Sequence, residues 1–287
     1  MAPHRFAVCN EIFGKMPFDQ MCKEVHALGY EAIEIAPFTL AEDASSLSAD
    51  ARGELRSVME ANSLCFAGLH WLTATPPGLH MTTRDESLRT RTWQYLHGLV
   101  DLCADLAVCP GEHNGVMVLG SPKQRSATDG MTPREATNIL THELAHIAPH
   151  AESRGVKILV EALSPDQTDV VTSLAEAVTI VKQIGSPAVQ TMFDTHNAVA
   201  ETDAHSELIR RYASYIKHVH VNEMDGREPG KGDYDFDALL QALSAVKYTG
   251  WVSLEVFDTS RDGVEIARSA INHLKKDMPE AAYFQAV

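Results

Sequence analysis

No stretch of this 287-residue chain is long and apolar enough to span a bilayer, which takes about 20 residues. A charged N-terminal region followed by a long apolar segment is also missing, so no signal peptide is expected. Basic residues are scarce: 24 Lys and Arg stand against 39 Asp and Glu, a formal net charge of −15. Phosphate backbones and anionic lipid surfaces attract a basic face, so neither nucleic acid nor membrane is expected as a partner. The five cysteines (Cys9, Cys22, Cys65, Cys103 and Cys109) are odd in number, and no pair has zinc-ribbon spacing. Set mostly among apolar residues, they read as reduced thiols of a cytoplasmic protein. The segment Asn10-Glu11-Ile12-Phe13-Gly14 lacks the glycines of a dinucleotide-binding turn. No linker or low-complexity segment interrupts the chain, so residues 1–287 read as one domain.

What the sequence does contain is alternation. Short apolar, β-branched runs lie at 6–10, 32–36, 65–71, 116–119, 157–162, 190–194, 218–221 and 252–256. Helical periodicity fills the intervals, at 18–28, 50–61, 85–107, 133–153, 173–184, 204–213, 237–246 and 264–276. Thr132 followed by Pro133 is an N-cap with proline at the first helical position, and Gly155 and Gly185 stand where helices stop. Eight β–α repeats predict an α/β fold, a parallel (β/α)8 TIM barrel, with an open doubly wound sheet as the alternative. Loops 73–83 and 223–235 are longer than a barrel requires. Both follow strands, so they are expected at the C-terminal face as lids over a site.

Four residues stand out against this pattern. Glu161, Asp194, His220 and Glu255 each sit at or near the end of an apolar run, in four consecutive strands. Singly, each has a structural explanation. Glu161 and Glu255 could be strand-end ion pairs, Asp194 a helix N-cap and His220 a core histidine. A barrel, however, gathers the ends of its strands at one mouth, and three carboxylates cannot share a small volume without protons or a cation. An oxygen-rich set with one imidazole favours Mn²⁺, Mg²⁺ or Co²⁺, with Zn²⁺ compatible.

The spacing and flanking residues resemble the sugar isomerase/epimerase branch of the xylose-isomerase-like TIM barrels. That branch includes D-tagatose and D-allulose 3-epimerases, hydroxypyruvate isomerase and inosose dehydratase. The resemblance rests on Glu161-Ala162-Leu163, Phe193-Asp194-Thr195, His218-Val219-His220, Pro229-Gly230-Lys231-Gly232, and Tyr248-Thr249-Gly250-Trp251 leading to Glu255. Gly120-Ser121-Pro122-Lys123-Gln124-Arg125 adds to it. It implies that Glu161, Asp194, His220 and Glu255 bind one divalent metal, Mn²⁺ before the other ions. It also implies that Glu161 and Glu255 form the acid–base pair of an epimerase or isomerase. Such an enzyme abstracts a proton from a keto-sugar and passes through a metal-stabilised enediolate. The implied partners are a small-molecule sugar and, as in many such barrels, a second copy in a homo-oligomer.

The substrate side departs from the epimerase pattern. Gln167 stands where the epimerases carry a second glutamate, and Asn197 where they carry a histidine, with His196 one position early. Gly226 occupies the place of a substrate-binding arginine, and Arg227 follows it. The expected substrate contacts are His70, Trp71, Gln124, Gln167, His196, Asn197 and Arg227, with Glu34, Glu112 and His113 as further candidates. The altered pocket leaves open a lyase or dehydratase acting on a keto-sugar or 3-keto-glycoside. An endonuclease IV-like repair enzyme would need more histidines and a basic face. A sugar-binding barrel without turnover completes the alternatives.

Overall fold

The computed structural model describes residues 4–109 and 115–276. Glu112 and His113 lie outside the described residues. The β-branched runs form eight parallel strands, β1 (Arg5–Cys9), β2 (Ala32–Ile35), β3 (Cys65–Leu69), β4 (Val116–Leu119), β5 (Lys157–Val160), β6 (Val189–Asp194), β7 (Ile216–Val221) and β8 (Trp251–Leu254). They close in sequence order, with β8 pairing β1. The helices between them are α1 (Phe18–Ala27), α2 (Ala49–Ala61), α3 (Glu86–Asp105), α4 (Pro133–Ser153), α5 (Leu174–Ile184), α6 (His205–Tyr212), α7 (Phe236–Ala245) and α8 (Gly263–Leu274). The expected (β/α)8 TIM barrel is the fold. Among the described residues no helix is long and apolar enough to cross a membrane.

Boundary chemistry acts where the sequence places it. Thr132 and Glu135 close a reciprocal capping box at the start of α4, and Gly185 ends α5 in the left-handed region at φ +70°. Several strands stop short of the expected runs: β2 at Ile35, β5 at Val160 and β8 at Leu254. β3 stops at Leu69, and Trp71 at φ +52° leads the chain out of the sheet. Within β3, Gly68 is required, since a Cβ there would overlap the Val116 carbonyl of β4.

Strand alternation sorts side chains into two layers. Phe6, Val8, Ile33, Ile35, Ile158, Val160, Val252 and Leu254 join the large core beneath the helices. Their neighbours in sequence point into the barrel. Ala7, Ala32, Ala67 and Trp251 form one small interior cluster, and Val116, Val118, Leu159 and Met192 another. Two residues further along each strand, on the same interior parity, stand Glu34, Glu161, Asp194 and His220, and Glu255 follows Ser253 in the same way. The register pairs Asp194 with His220 across β6 and β7, and His220 with Ser253 across β7 and β8. An apolar plug thus fills the barrel below, and the ionisable residues collect at its C-terminal mouth.

Both long loops lie at that mouth and are fastened there. In loop 73–83, the Met81 amide donates to the Gln124 carbonyl (2.6 Å) and the Thr82 hydroxyl to the Arg125 carbonyl (2.9 Å). Loop 223–235 winds around the buried Glu223 carboxylate, which accepts from the amides of Gly230 (2.8 Å) and Tyr234 (3.1 Å).

Candidate metal centre and active site

Glu161, Asp194, His220 and Glu255 each offer a ligand atom, and these atoms all lie within 4.8 Å of one another. All four residues are buried. His220 Nδ1 is 3.1 Å from Glu255 Oε2 and 3.6 Å from Asp194 Oδ2. Neither His220 Nδ1 nor Asp194 Oδ2 has a hydrogen-bond partner. Buried polar atoms are rarely left so, and two facing orphans on one imidazole and one carboxylate fit a cation between them. One oxygen of each carboxylate is held by the protein. Asn197 Nδ2 donates to Glu161 Oε1 (3.0 Å), the Asn197 amide to Asp194 Oδ1 (2.9 Å), and the Trp71 indole to Glu255 Oε1 (3.0 Å). Gly120 leaves the space that Glu161 occupies, because a Cβ at that position would overlap Oε2 of Glu161.

Glu34 supports the histidine from behind. Its carboxylate lies 3.1 and 3.2 Å from His220 Nε2 and 2.8 Å from His218 Nε2, with all three side chains sealed from solvent. A carboxylate on the far imidazole nitrogen fixes the ring and leaves the near nitrogen, Nδ1, as the ligand atom.

The electrostatics carry the signature of concentrated negative charge. Burial, with Asp194 and Glu255 adding to it, pushes the Glu161 carboxyl up to about 8. Burial likewise raises Glu255, partly offset by His220. Burial works against the charged forms of Asp194, Glu34 and His220 too, but their mutual attraction wins. The nearby charge of His220 and the Asn197 amide hold Asp194 below its ordinary value, and His218 and His220 hold Glu34 well below. Glu34 and Glu255 keep His220 well above its ordinary value. At neutral pH the protons on Glu161 and His220 offset the charge that a divalent ion would neutralise.

A cavity opens above this cluster, lined by both glutamates with His70, Trp71, Gln167 and Asn197 on its wall. Four of the seven expected substrate contacts therefore meet there. The other three do not line it. His196 turns its Nδ1 to the Met224 carbonyl (2.8 Å), and Arg227 is half-buried and paired with Asp225 (2.8 Å). Gln124 sits in a 3-10 turn, Pro122–Gln124, entered through Ser121 at φ +52°. That turn sends the next residue inward instead. Arg125 is fully buried and donates to the carbonyls of Leu119 (3.0 Å) and Val171 (3.2 Å). Burial lowers its guanidinium to about 10, against the pull of Glu161.

Two further residues escaped the sequence reading. Glu11 holds His70 Nε2 at 2.8 Å, and Phe257 lines the cavity mouth. Glu11 follows β1 as Glu161 follows β5, a positional signal. Phe257 carried only its nearness to Glu255.

Residues 22–277 match the family model described as xylose isomerase-like TIM barrel. A D-psicose 3-epimerase from Agrobacterium fabrum is 33% identical over 111 residues, 39% of this chain. The chain spans 38% of the length of that relative. A probable ketose 3-epimerase from Synechocystis sp. is 22% identical over 260 residues, 89% of this chain and 83% of that one. The crystal structure of 3-keto-D-glucoside 4-epimerase from E. coli shares the fold at TM-score 0.81 and 17% identity, covering 96% of this chain and 100% of the other. With most of its length matched, the chain belongs to the xylose isomerase-like TIM barrel family.

Proposed function

We propose that this protein is a divalent-metal-dependent epimerase or isomerase of a keto-sugar or sugar derivative. The observation that carries this reading is the convergence of Glu161, Asp194, His220 and Glu255 at the base of a cavity that both glutamates line. Glu161, Asp194, His220 and Glu255 would hold the ion, and their oxygen-rich donor set suits Mn²⁺ best. When bound, the ion supplies Lewis-acid polarisation of a carbonyl and charge compensation for the carbon acid.

The chain's own residues supply the proton transfers. One glutamate takes the proton from the carbon beside the carbonyl and the other returns one, which inverts that centre or moves the carbonyl. Asn197 and Trp71 each fix one carboxylate oxygen, leaving Glu161 Oε2 free toward the cavity. Gln167 reaches Asn197 Oδ1 at 2.7 Å and so orients the amide that orients Glu161. His70, bonded to Glu11 through Nε2, forms part of the cavity wall.

Gln167, in place of a substrate-facing carboxylate, favours elimination as the second reading. The same proton abstraction then expels a substituent from the next carbon. The test is a screen of ketoses and 3-keto-glycosides with the Mn²⁺-loaded protein in D₂O. Deuterium uptake with substrate mass otherwise retained supports epimerisation or isomerisation. Release of water or an aglycone moves the assignment to a lyase, and neither uptake nor release with any of these compounds contradicts both.

A further inference from the structure

Of the motif Gly120-Ser121-Pro122-Lys123-Gln124-Arg125, the metal centre uses only the space beside Gly120. Its last residue, Arg125, is among the largest side chains sealed from solvent. A buried guanidinium is expensive. Burial works against its charge, and Glu161 works for it. Both of its hydrogen bonds go to main-chain carbonyls, those of Leu119 (3.0 Å) and Val171 (3.2 Å), and its Nε has no partner. Neither carbonyl needs the arginine to be satisfied. Leu119 already accepts from the Glu161 amide (3.3 Å), and Val171 from the Leu163 amide (3.1 Å).

What the two bonds share is position. Leu119 ends β4, Val171 lies in the loop after β5, and the amides bonded to their carbonyls bracket residues 161–163. This is the segment that carries Glu161 out of the strand. A guanidinium is a rigid planar fork, so two carbonyls bonded to it are fixed relative to each other. Val171 takes φ +59°, a region that β-branched residues avoid and that collects at functional sites. The residues after Arg125 add to the same join. Ser126 Oγ lies 2.9 Å from Thr168 Oγ1, and the Ala127 amide donates to Asp169 (2.9 Å).

We propose that Arg125 is a positioning residue for Glu161. Its guanidinium fixes the Leu119 and Val171 carbonyls, and through the amides bonded to them it fixes the main chain at Glu161 and Leu163. The proposal rests on the reading of Glu161 as metal ligand and proton carrier. Asn197 and Gly120 set where the carboxylate lies, and Arg125 sets the backbone from which it extends. A lysine keeps the charge but brings one nitrogen in place of three, so it cannot hold both carbonyls in the geometry of the fork.

The test is Arg125→Lys, read by amide hydrogen exchange at residue resolution on the whole protein without added metal, and by calorimetric titration with Mn²⁺. Exchange at the Glu161 and Leu163 amides speeds up about tenfold, as loss of one charge-assisted hydrogen bond allows. The Ile158 amide, bonded to the Ala188 carbonyl at 2.8 Å in the same strand, keeps its rate. Mn²⁺ affinity falls about tenfold. The charge is unchanged in this variant, so that fall reports on placement. Equal acceleration of all three amides marks a residue that serves stability alone and overturns the proposal. So does unchanged exchange at Glu161 and Leu163, or unchanged affinity beside a wild type that binds the ion. Where Arg125→Lys does not fold, Arg125→Met removes the buried charge, a replacement that cores tolerate, and amide exchange is read with the same expectations. A wild type that binds no Mn²⁺ sinks the reading of the metal centre, while the amide exchange still decides the role of Arg125.

Discussion

His220 Nδ1 and Asp194 Oδ2 face each other at 3.6 Å across the barrel mouth, both buried and both without a hydrogen bond. The other nitrogen of the same ring is fully engaged by Glu34, so the ring cannot turn to satisfy Nδ1 without breaking that contact. The geometry fits a cation-binding set whose far side is fastened by Glu34.

Glu34→Gln is therefore expected to lower Mn²⁺ affinity by about 10- to 100-fold, as loss of the partner behind a ligand histidine does elsewhere. Metal titration by calorimetry checks this, with circular dichroism confirming the fold. The buried neighbours His70 and His220, both held well above their ordinary value, lose a counter-charge in the same variant, so its melting temperature also falls.

Metal binding is linked to pH. The Glu161 carboxyl, at about 8 in the metal-free protein, is protonated at neutral pH and must ionise to bind an ion. Mn²⁺ affinity thus rises with pH through about 8, and binding at pH 7 releases one proton from Glu161 and one from His220, whose Nδ1 must lose its proton to ligate. Calorimetry in two buffers of different ionisation enthalpy counts those protons. The sign for stability follows from the same shift. A carboxyl raised in the folded state stabilises while protonated, fully so below its ordinary value of 4.5, and that contribution is lost as pH climbs through about 8. The metal-free protein melts at lower temperature as pH rises across this window, and Mn²⁺ flattens the dependence.

Gly120→Ala tests the placement of Glu161. The added methyl group would overlap Oε2, so the carboxylate must move. A displacement near 1 Å costs about a hundredfold in turnover. Proton exchange is the measurement, and a variant that exchanges at the wild-type rate would mean that Glu161 is free to sit elsewhere.

The barrel and its four ionisable strand ends were legible because both rest on local signals. Strand alternation places Leu159 and Glu161 on one parity, and it does the same for Met192 and Asp194 and for His218 and His220. What the sequence hid depends on backbone direction in loops. Ser121 at φ +52° decides that Arg125 rather than Gln124 turns inward. Arg227 is claimed by Asp225, two residues earlier, through a contact that only the loop geometry shows. Phe257 gains its place from the turn after β8, where its amide bonds the Gly226 carbonyl at 2.9 Å. No periodicity extends that far.

The most direct test of the account is solvent deuterium uptake into a ketose by wild type, Glu161→Gln and Glu255→Gln, each with and without Mn²⁺. The account predicts uptake in the Mn²⁺-loaded wild type. It predicts loss on chelation and a fall of about a thousandfold in each folded variant. Undiminished uptake in either glutamate variant, or in the chelated wild type, would contradict it.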